Sequence, residues 1–151
     1  MLLNKFPLIP LIAMLAFSSC TKDPQQRLED DIDKIKEYLE EHNLNATSTA
    51  SGLHIIMEVE GTGGHPTISD EVTVHYKGYF LDDEVFDETG AQPATFSLTG
   101  VITGWQEGIP LFKKGGKGTL FIPSALGYGA YPPPGIPKNA VLIFDVELVD
   151  F

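Results

Sequence analysis

From residue 52 onward, glycine and proline cut the chain into short runs rich in β-branched and aromatic residues, a spacing that dictates a sheet. The runs fall at 53–59, 71–81, 94–98, 117–122 and 141–151, with turn-forming clusters such as Gly61-Thr62-Gly63-Gly64 between them. In the last run Leu142, Phe144, Val146 and Leu148 alternate with Asp145 and Glu147, which gives one buried and one solvated face. Only residues 104–112, with Trp105, Ile109 and Leu111 among charged neighbours, suit a helix in this part. Strands without repeated strand–helix alternation exclude a doubly wound architecture. They give an α+β domain over 52–151, mostly antiparallel strands with one short helix.

The N-terminal third follows other rules. Residues 1–19 hold Lys5 as their only charge, and their apolar stretch is broken at Pro10. That stretch is far shorter than the roughly 20 residues a bilayer span needs. A basic start, a short apolar stretch and the small residues Ser18 and Ser19 mark a secretory signal. Cys20, the single cysteine of the chain, follows directly. The arrangement resembles the lipobox of bacterial lipoproteins, with Phe17 where leucine is usual. The resemblance implies cleavage before Cys20, a diacylglycerol on its thiol, and anchorage in the inner or outer membrane of the cell envelope. No thiol then remains for redox chemistry, which suits an oxidising compartment.

Residues 20–51 read as a tether containing an acidic helix. Asp23-Pro24-Gln25-Gln26 is a helix start, with Asp23 as cap, Pro24 at the first helical position and Gln26 where a capping box places Glu or Gln. Leu28, Ile32, Ile35 and Leu39 form one narrow apolar stripe amid Glu29, Asp30, Asp31, Asp33, Glu37, Glu40 and Glu41. The stripe suits a solvated helix that packs on the main domain or spaces it from the membrane. Its coiled-coil spacing also allows a dimerisation helix over 24–42, although it runs for less than two heptads. Asn43 to Ser51 is rich in Asn, Thr and Ser and reads as a linker.

Several kinds of chemistry are excluded. The net charge of −11 disfavours nucleic acid, whose phosphates need clustered Lys and Arg. One cysteine rules out a disulfide framework and a cysteine-rich zinc site. The histidines His42, His54, His65 and His75 lack metal-ligand spacing, and no calcium loop is present. Gly115-Gly116-Lys117-Gly118-Thr119 imitates a phosphate loop, but Leu111 replaces its first glycine and Gly118 the magnesium-binding hydroxyl. Neither a serine-hydrolase elbow nor an acid–base pair stands out, and no cofactor or metal is expected.

Four segments, read together, resemble the FKBP-type peptidyl-prolyl cis-trans isomerase family. They are Val72-Thr73-Val74-His75-Tyr76-Lys77-Gly78, Val85-Phe86-Asp87, and Val101-Ile102-Thr103-Gly104-Trp105-Gln106-Glu107-Gly108, followed by a stretch from Ile122-Pro123-Ser124 to Leu148. The last contains Leu126-Gly127-Tyr128-Gly129 and Ile136-Pro137-Lys138-Asn139-Ala140. Their order and spacing match the family across 66–151. The resemblance implies a twisted antiparallel sheet wrapped around one short helix, with an apolar pocket between them. It places Trp105 at the pocket floor and Tyr76, Phe86, Val101, Ile102, Ile136 and Phe144 along its walls, with Asp87 and Tyr128 at the rim. The implied partners are proline-containing unfolded or exported polypeptides, and macrolide inhibitors.

Such an activity fits the missing nucleophile, because rotation about an amide breaks no covalent bond. Asp87, Tyr128, Phe86 and Trp105 are the expected catalytic residues. Two departures bear on substrate preference and macrolide affinity. Ala94 stands where the best-studied relatives have an aromatic residue, lowering one wall, and the loop Tyr131-Pro132-Pro133-Pro134-Gly135 is proline-rich and short. The competing expectation is a non-catalytic envelope chaperone or adaptor with the same fold.

Overall fold

The computed structural model describes residues 22–151, so the signal segment 1–19 and the lipidation site expected at Cys20 lie outside the described residues. Helix α1 spans Pro24–Glu41. Strands β1 (Thr47–Ser48), β2 (His54–Val59), β3 (Glu71–Tyr79), β4 (Val85–Glu88) and β5 (Ala94–Ser97) precede helix α2 (Thr103–Gly108). Strands β6 (Lys117–Ile122) and β7 (Leu142–Asp150) complete the order. The helix expected over 104–112 divides into α2 and a 3-10 turn, Ile109–Leu111, because Pro110 has no N–H with which to continue an α-helix.

One seven-stranded sheet runs β1-β2-β6-β7-β3-β4, with β5 also pairing to β3. All pairs are antiparallel. Strand β3 is shared along one edge: Glu71–Val74 pair with β5, and Lys77–Tyr79 pair with β4. The central strands β6 and β7 are buried on both faces over Leu120–Ile122 and Leu142–Phe144. Leu120, Ile122, Leu142, Phe144, Val146 and Leu148 pack toward Trp105 and Ile109 of the α2 region. Phe121, Val141 and Ile143 pack instead against Ile35, Tyr38 and Leu39 of α1. Opposite directions for successive side chains follow from the period of a strand.

Helix α1 is therefore docked on the sheet. Pro24 occupies its first turn, and Asp23 is the N-cap residue but makes no side-chain cap bond. Gln26 donates to Asp30 at 3.3 Å rather than reaching back to the cap, so the expected capping box does not form. Leu28 and Ile32 continue the stripe onto the Gly52 backbone, where a Cβ would lie 2.9 Å from Ile32 Cδ1. Gly52 also sits at φ +90, a conformation that glycine adopts without strain. The C-terminal half of the stripe thus finds its partner within the chain, while Leu28 and Ile32 stay half-buried beside Gly52. Ile35 and Leu39 of the stripe, with Tyr38, pack on Phe121 of β6 and Ile143 of β7, where each buried apolar side chain contributes about 1.5–3 kcal/mol.

Candidate active site

A pocket of about 270 Å³ opens between α2 and the sheet. Trp105, 4% exposed, forms its base from the first turn of α2. Three rings meet the indole edge to face: Tyr76 of β3 at 5.2 Å, Phe144 of β7 at 5.3 Å and Phe96 of β5 at 5.6 Å between centroids. Phe86 of β4 stands at 88° to Phe144, 5.5 Å away. Edge-to-face pairs of this kind are favourable, so the rings brace one another as they form the walls.

Phe86 and Asp87 are sequence neighbours, and on a regular strand they would face opposite sides. Both nevertheless line the pocket. The register explains it: Gly78 pairs with Asp87 and Tyr79 with Val85, so Phe86 is the extra residue of a β-bulge. Such a bulge bends the strand and turns a side chain that regular pleating would send away. Gly78 makes room, because a Cβ there would come within 2.7 Å of Phe86 and 2.8 Å of Phe144.

Asp87 is the only charged residue lining the pocket. The Tyr76 hydroxyl donates to its Oδ2 at 2.6 Å, which orients the carboxylate along the rim. Burial, with the bond to Asp87 and its charge, holds the Tyr76 phenol well above its ordinary pKa. Tyr128, 37% exposed, lies on the loop beyond the 3-10 turn Ser124–Leu126. Its phenol is also raised, by desolvation first and then by the Asp87 charge, so it stays a proton donor at neutral pH. At the α2 entrance the Ile102 carbonyl accepts the N–H groups of Trp105 and Gln106, while Gln106 Nε2 donates to the Val101 carbonyl at 2.8 Å. Among the described residues the Ile102 N–H has no protein acceptor.

Of the residues singled out from the sequence, Tyr76, Phe86, Asp87, Val101, Ile102, Trp105, Tyr128 and Phe144 meet around this pocket. Ile136 does not. It lies in the adjoining groove with Pro133, Pro134 and Gly135, which shares Phe86, Asp87 and Tyr128 with the pocket. A turn from the Pro133 carbonyl to the Ile136 N–H, 3.3 Å, seats it there. Phe96 and Gly100 line the pocket without having been foreseen. Phe96 was findable, since it stands two residues from Ala94 and shares its face of the strand. It supplies an aromatic wall on the side where Ala94 predicted a lower one.

Residues 63–149 match the model of the FKBP-type peptidyl-prolyl cis-trans isomerase family. The chain belongs to that family. It is 42% identical over 137 residues to the FKBP-type peptidyl-prolyl cis-trans isomerase FkpA of Escherichia coli K12, a match covering 88% of this chain and 51% of that protein. The crystal structure of E. coli FkpA superposes with a TM-score of 0.72, over 83% of this chain and 63% of that one. A peptidyl-prolyl cis-trans isomerase of Pseudomonas syringae, 28% identical, gives 0.70 over 86% and 97%. The chain thus spans about half the length of the curated relatives it matches. Its fold is FKBP-like, as the sequence motifs implied.

Proposed function

We propose that this chain accelerates cis–trans exchange at X–Pro bonds by holding the twisted amide in the Trp105 pocket. The observation that carries this is an aromatic box whose polar side-chain groups gather at the rim: Asp87, the Tyr76 hydroxyl bonded to it, and Tyr128. Amide rotation faces a barrier of about 18–20 kcal/mol because the C–N bond has double-bond character. Uncatalysed exchange at X–Pro takes tens to hundreds of seconds. At the top of the barrier the amide has lost resonance and its carbonyl has lost polarity. A dry site lined by Trp105, Phe86, Phe96 and Phe144 favours that form over the planar amide, which water solvates better.

The chain's own groups then divide the work. The prolyl ring packs on the Trp105 indole between the rings of Tyr76 and Phe144. The Ile102 N–H and the Tyr128 hydroxyl hold the carbonyl preceding the bond and the chain beyond it. Asp87 faces the rotating amide with a fixed charge, and Val101 and Ile136 guide the flanking residues. A thousandfold acceleration asks about 4 kcal/mol of these contacts together, within reach of a few directed bonds and close packing. The test is exchange of a proline-containing peptide with the whole chain. Acceleration reduced in Asp87→Ala and Trp105→Ala supports the reading, and a wild-type rate equal to the uncatalysed one overturns it.

A second reading is favoured by one feature, the apolar rim formed by Tyr131, 93% exposed, with Pro132, Pro133 and Pro134 beside the pocket. Such a rim suits transient holding of unfolded exported polypeptides without catalysis. Suppressed aggregation of a client that survives Asp87→Ala would assign the holding role to the rim. For location, Cys20 behind an apolar segment supports a lipid-anchored envelope protein. Among the described residues no helix is long and apolar enough to cross a membrane. Cys20→Ala should release the chain from the membrane fraction, and unchanged association would exclude this anchor.

A further inference from the structure

One buried charge lies outside the pocket. The Asp31 carboxylate of α1 is 1% exposed. Its Oδ2 accepts the backbone N–H of Ser124 at 3.0 Å and the Ser124 hydroxyl at 2.5 Å, while Lys34 donates to Oδ1 at 3.0 Å. Ser124 passes this constraint on. Its carbonyl accepts the N–H of Gly127 at 3.1 Å and that of Gly129 at 2.9 Å, the residues on either side of Tyr128. The Gly129 carbonyl accepts the Asn139 N–H at 2.8 Å, and the Asn139 side chain accepts from Arg27 of α1 at 3.0 Å. Arg27 and Asp31 are four residues apart, hence on one face of the helix. That face holds the segment 124–139 at both ends.

We propose that α1 is a positioning element of the isomerase site, with Asp31 and Arg27 as positioning residues that fix the Tyr128 hydroxyl over the pocket. This rests on the prolyl-isomerase reading of that pocket. The apolar residues Ile35, Tyr38 and Leu39 already dock the helix, so a buried carboxylate is not needed for attachment. A carboxylate taken out of water is tolerated only where its oxygens are hydrogen-bonded, which makes the Asp31–Ser124 contact strict in direction as well as distance. Tyr128 has no strand partners to hold it, and Asn139 stands at φ 56, a left-handed turn. A loop of this kind is mobile unless tied to something rigid, and α1 is what ties it.

The experiment measures kcat/KM on an X–Pro peptide for the whole chain carrying Asp31→Ala, Arg27→Ala or Asp31→Asn, each also combined with Tyr128→Phe. Melting temperatures and amide exchange at Gly127 and Gly129 are followed alongside. Asp31→Ala should lower kcat/KM by up to about three- to tenfold, bounded by the loss of the Tyr128 hydroxyl through which it acts. In the Tyr128→Phe background the same change should cost less than about twofold, because residues acting through one another are not additive. Asp31→Asn retains an acceptor for Ser124 and should restore most of the rate. Exchange at Gly127 and Gly129 should quicken while the β6 and β7 amides keep their protection. Equal losses in both backgrounds, or an unchanged kcat/KM in Asp31→Ala, overturn the proposal. If Asp31→Ala does not fold, Arg27→Ala carries the same cycle. A wild type without activity defeats the isomerase reading alone, and unaltered exchange at the two glycines would then defeat the positioning role by itself.

Discussion

The two faces of the sheet are built from the same strands and put to opposite uses. Toward α1, Phe121 and Ile143 are fully buried under Ile35, Tyr38 and Leu39, and the one buried charge there has a donor at each of its carboxylate oxygens. Toward α2, the packing stops short and leaves a cavity ringed by six aromatic side chains. The one buried side-chain polar atom without a partner among the described residues, Trp105 Nε1, belongs to that second face. A closed face stores stability, whereas an open one keeps apolar surface and rim donors free for a ligand. Alternation along β6 and β7 makes the division possible, since neighbouring residues such as Phe121 and Ile122 serve different faces.

The largest effect that could break this contrast is loss of Phe121. Phe121→Ala should destabilise the chain by about 3–5 kcal/mol, the range for emptying a large buried site, as read from denaturant unfolding. The folded fraction should keep its kcat/KM within about twofold, because Phe121 touches Tyr38 and not the pocket rings. On the other face the pattern reverses. Asp87→Ala should lower kcat/KM about ten- to a hundredfold, equivalent to about 1.4–3 kcal/mol of transition-state stabilisation. Asp87 is exposed, and its removal leaves only the Tyr76 hydroxyl seeking water, so the melting temperature should move little. A large stability loss with unchanged rate in Asp87→Ala would break the division between the faces.

Much of this division was legible in the sequence, and the omissions have physical causes. The alternation in 142–148 announced the buried face of β7, and the motif residues located eight of the pocket's lining positions. Strand β4 gave no periodic signal, because it is four residues long, carries two acids and contains a bulge. Ile136 stands in the adjoining groove because its position depends on a turn of the proline loop, which the motif around it does not encode. Asp31 was indistinguishable from its acidic neighbours. Its burial is decided by Ser124, 93 residues away, and nothing local encodes that contact.

A smaller effect is expected from Tyr128→Phe. The hydroxyl is at the rim and partly exposed, so its loss should cost about three- to tenfold in kcat/KM, roughly 0.7–1.4 kcal/mol. The effect should fall on kcat/KM with no change in melting temperature beyond a degree or two, about what surface substitutions produce. A larger loss would move weight from the aromatic box to the rim donor and sharpen the reading of Tyr128 as the group that α1 positions.

The mildest probe compares the tyrosines of the two faces at alkaline pH. On the closed face the Tyr38 hydroxyl donates to Asp83 at 2.9 Å and that of Tyr79 to Asp145 at 3.1 Å. Burial pushes Tyr38 up to about 12, and burial with the Asp145 charge raises Tyr79 as well. On the open face Tyr76 and Tyr128 are raised by desolvation and by Asp87. In the unfolded chain all four titrate near the ordinary value of about 10. Above that pH the unfolded state has released protons that the folded state still holds, so stability declines as pH rises. The contribution is complete below about 10 and disappears as the pH climbs through the raised folded values. The melting temperature should therefore fall progressively above pH about 10, while kcat/KM per folded molecule should decline later, because burial and the Asp87 charge hold the Tyr128 proton beyond the ordinary value. Activity that declined before the melting temperature did would show that the rim hydroxyl ionises first, and that the open face is wetter than its ring of aromatic side chains implies.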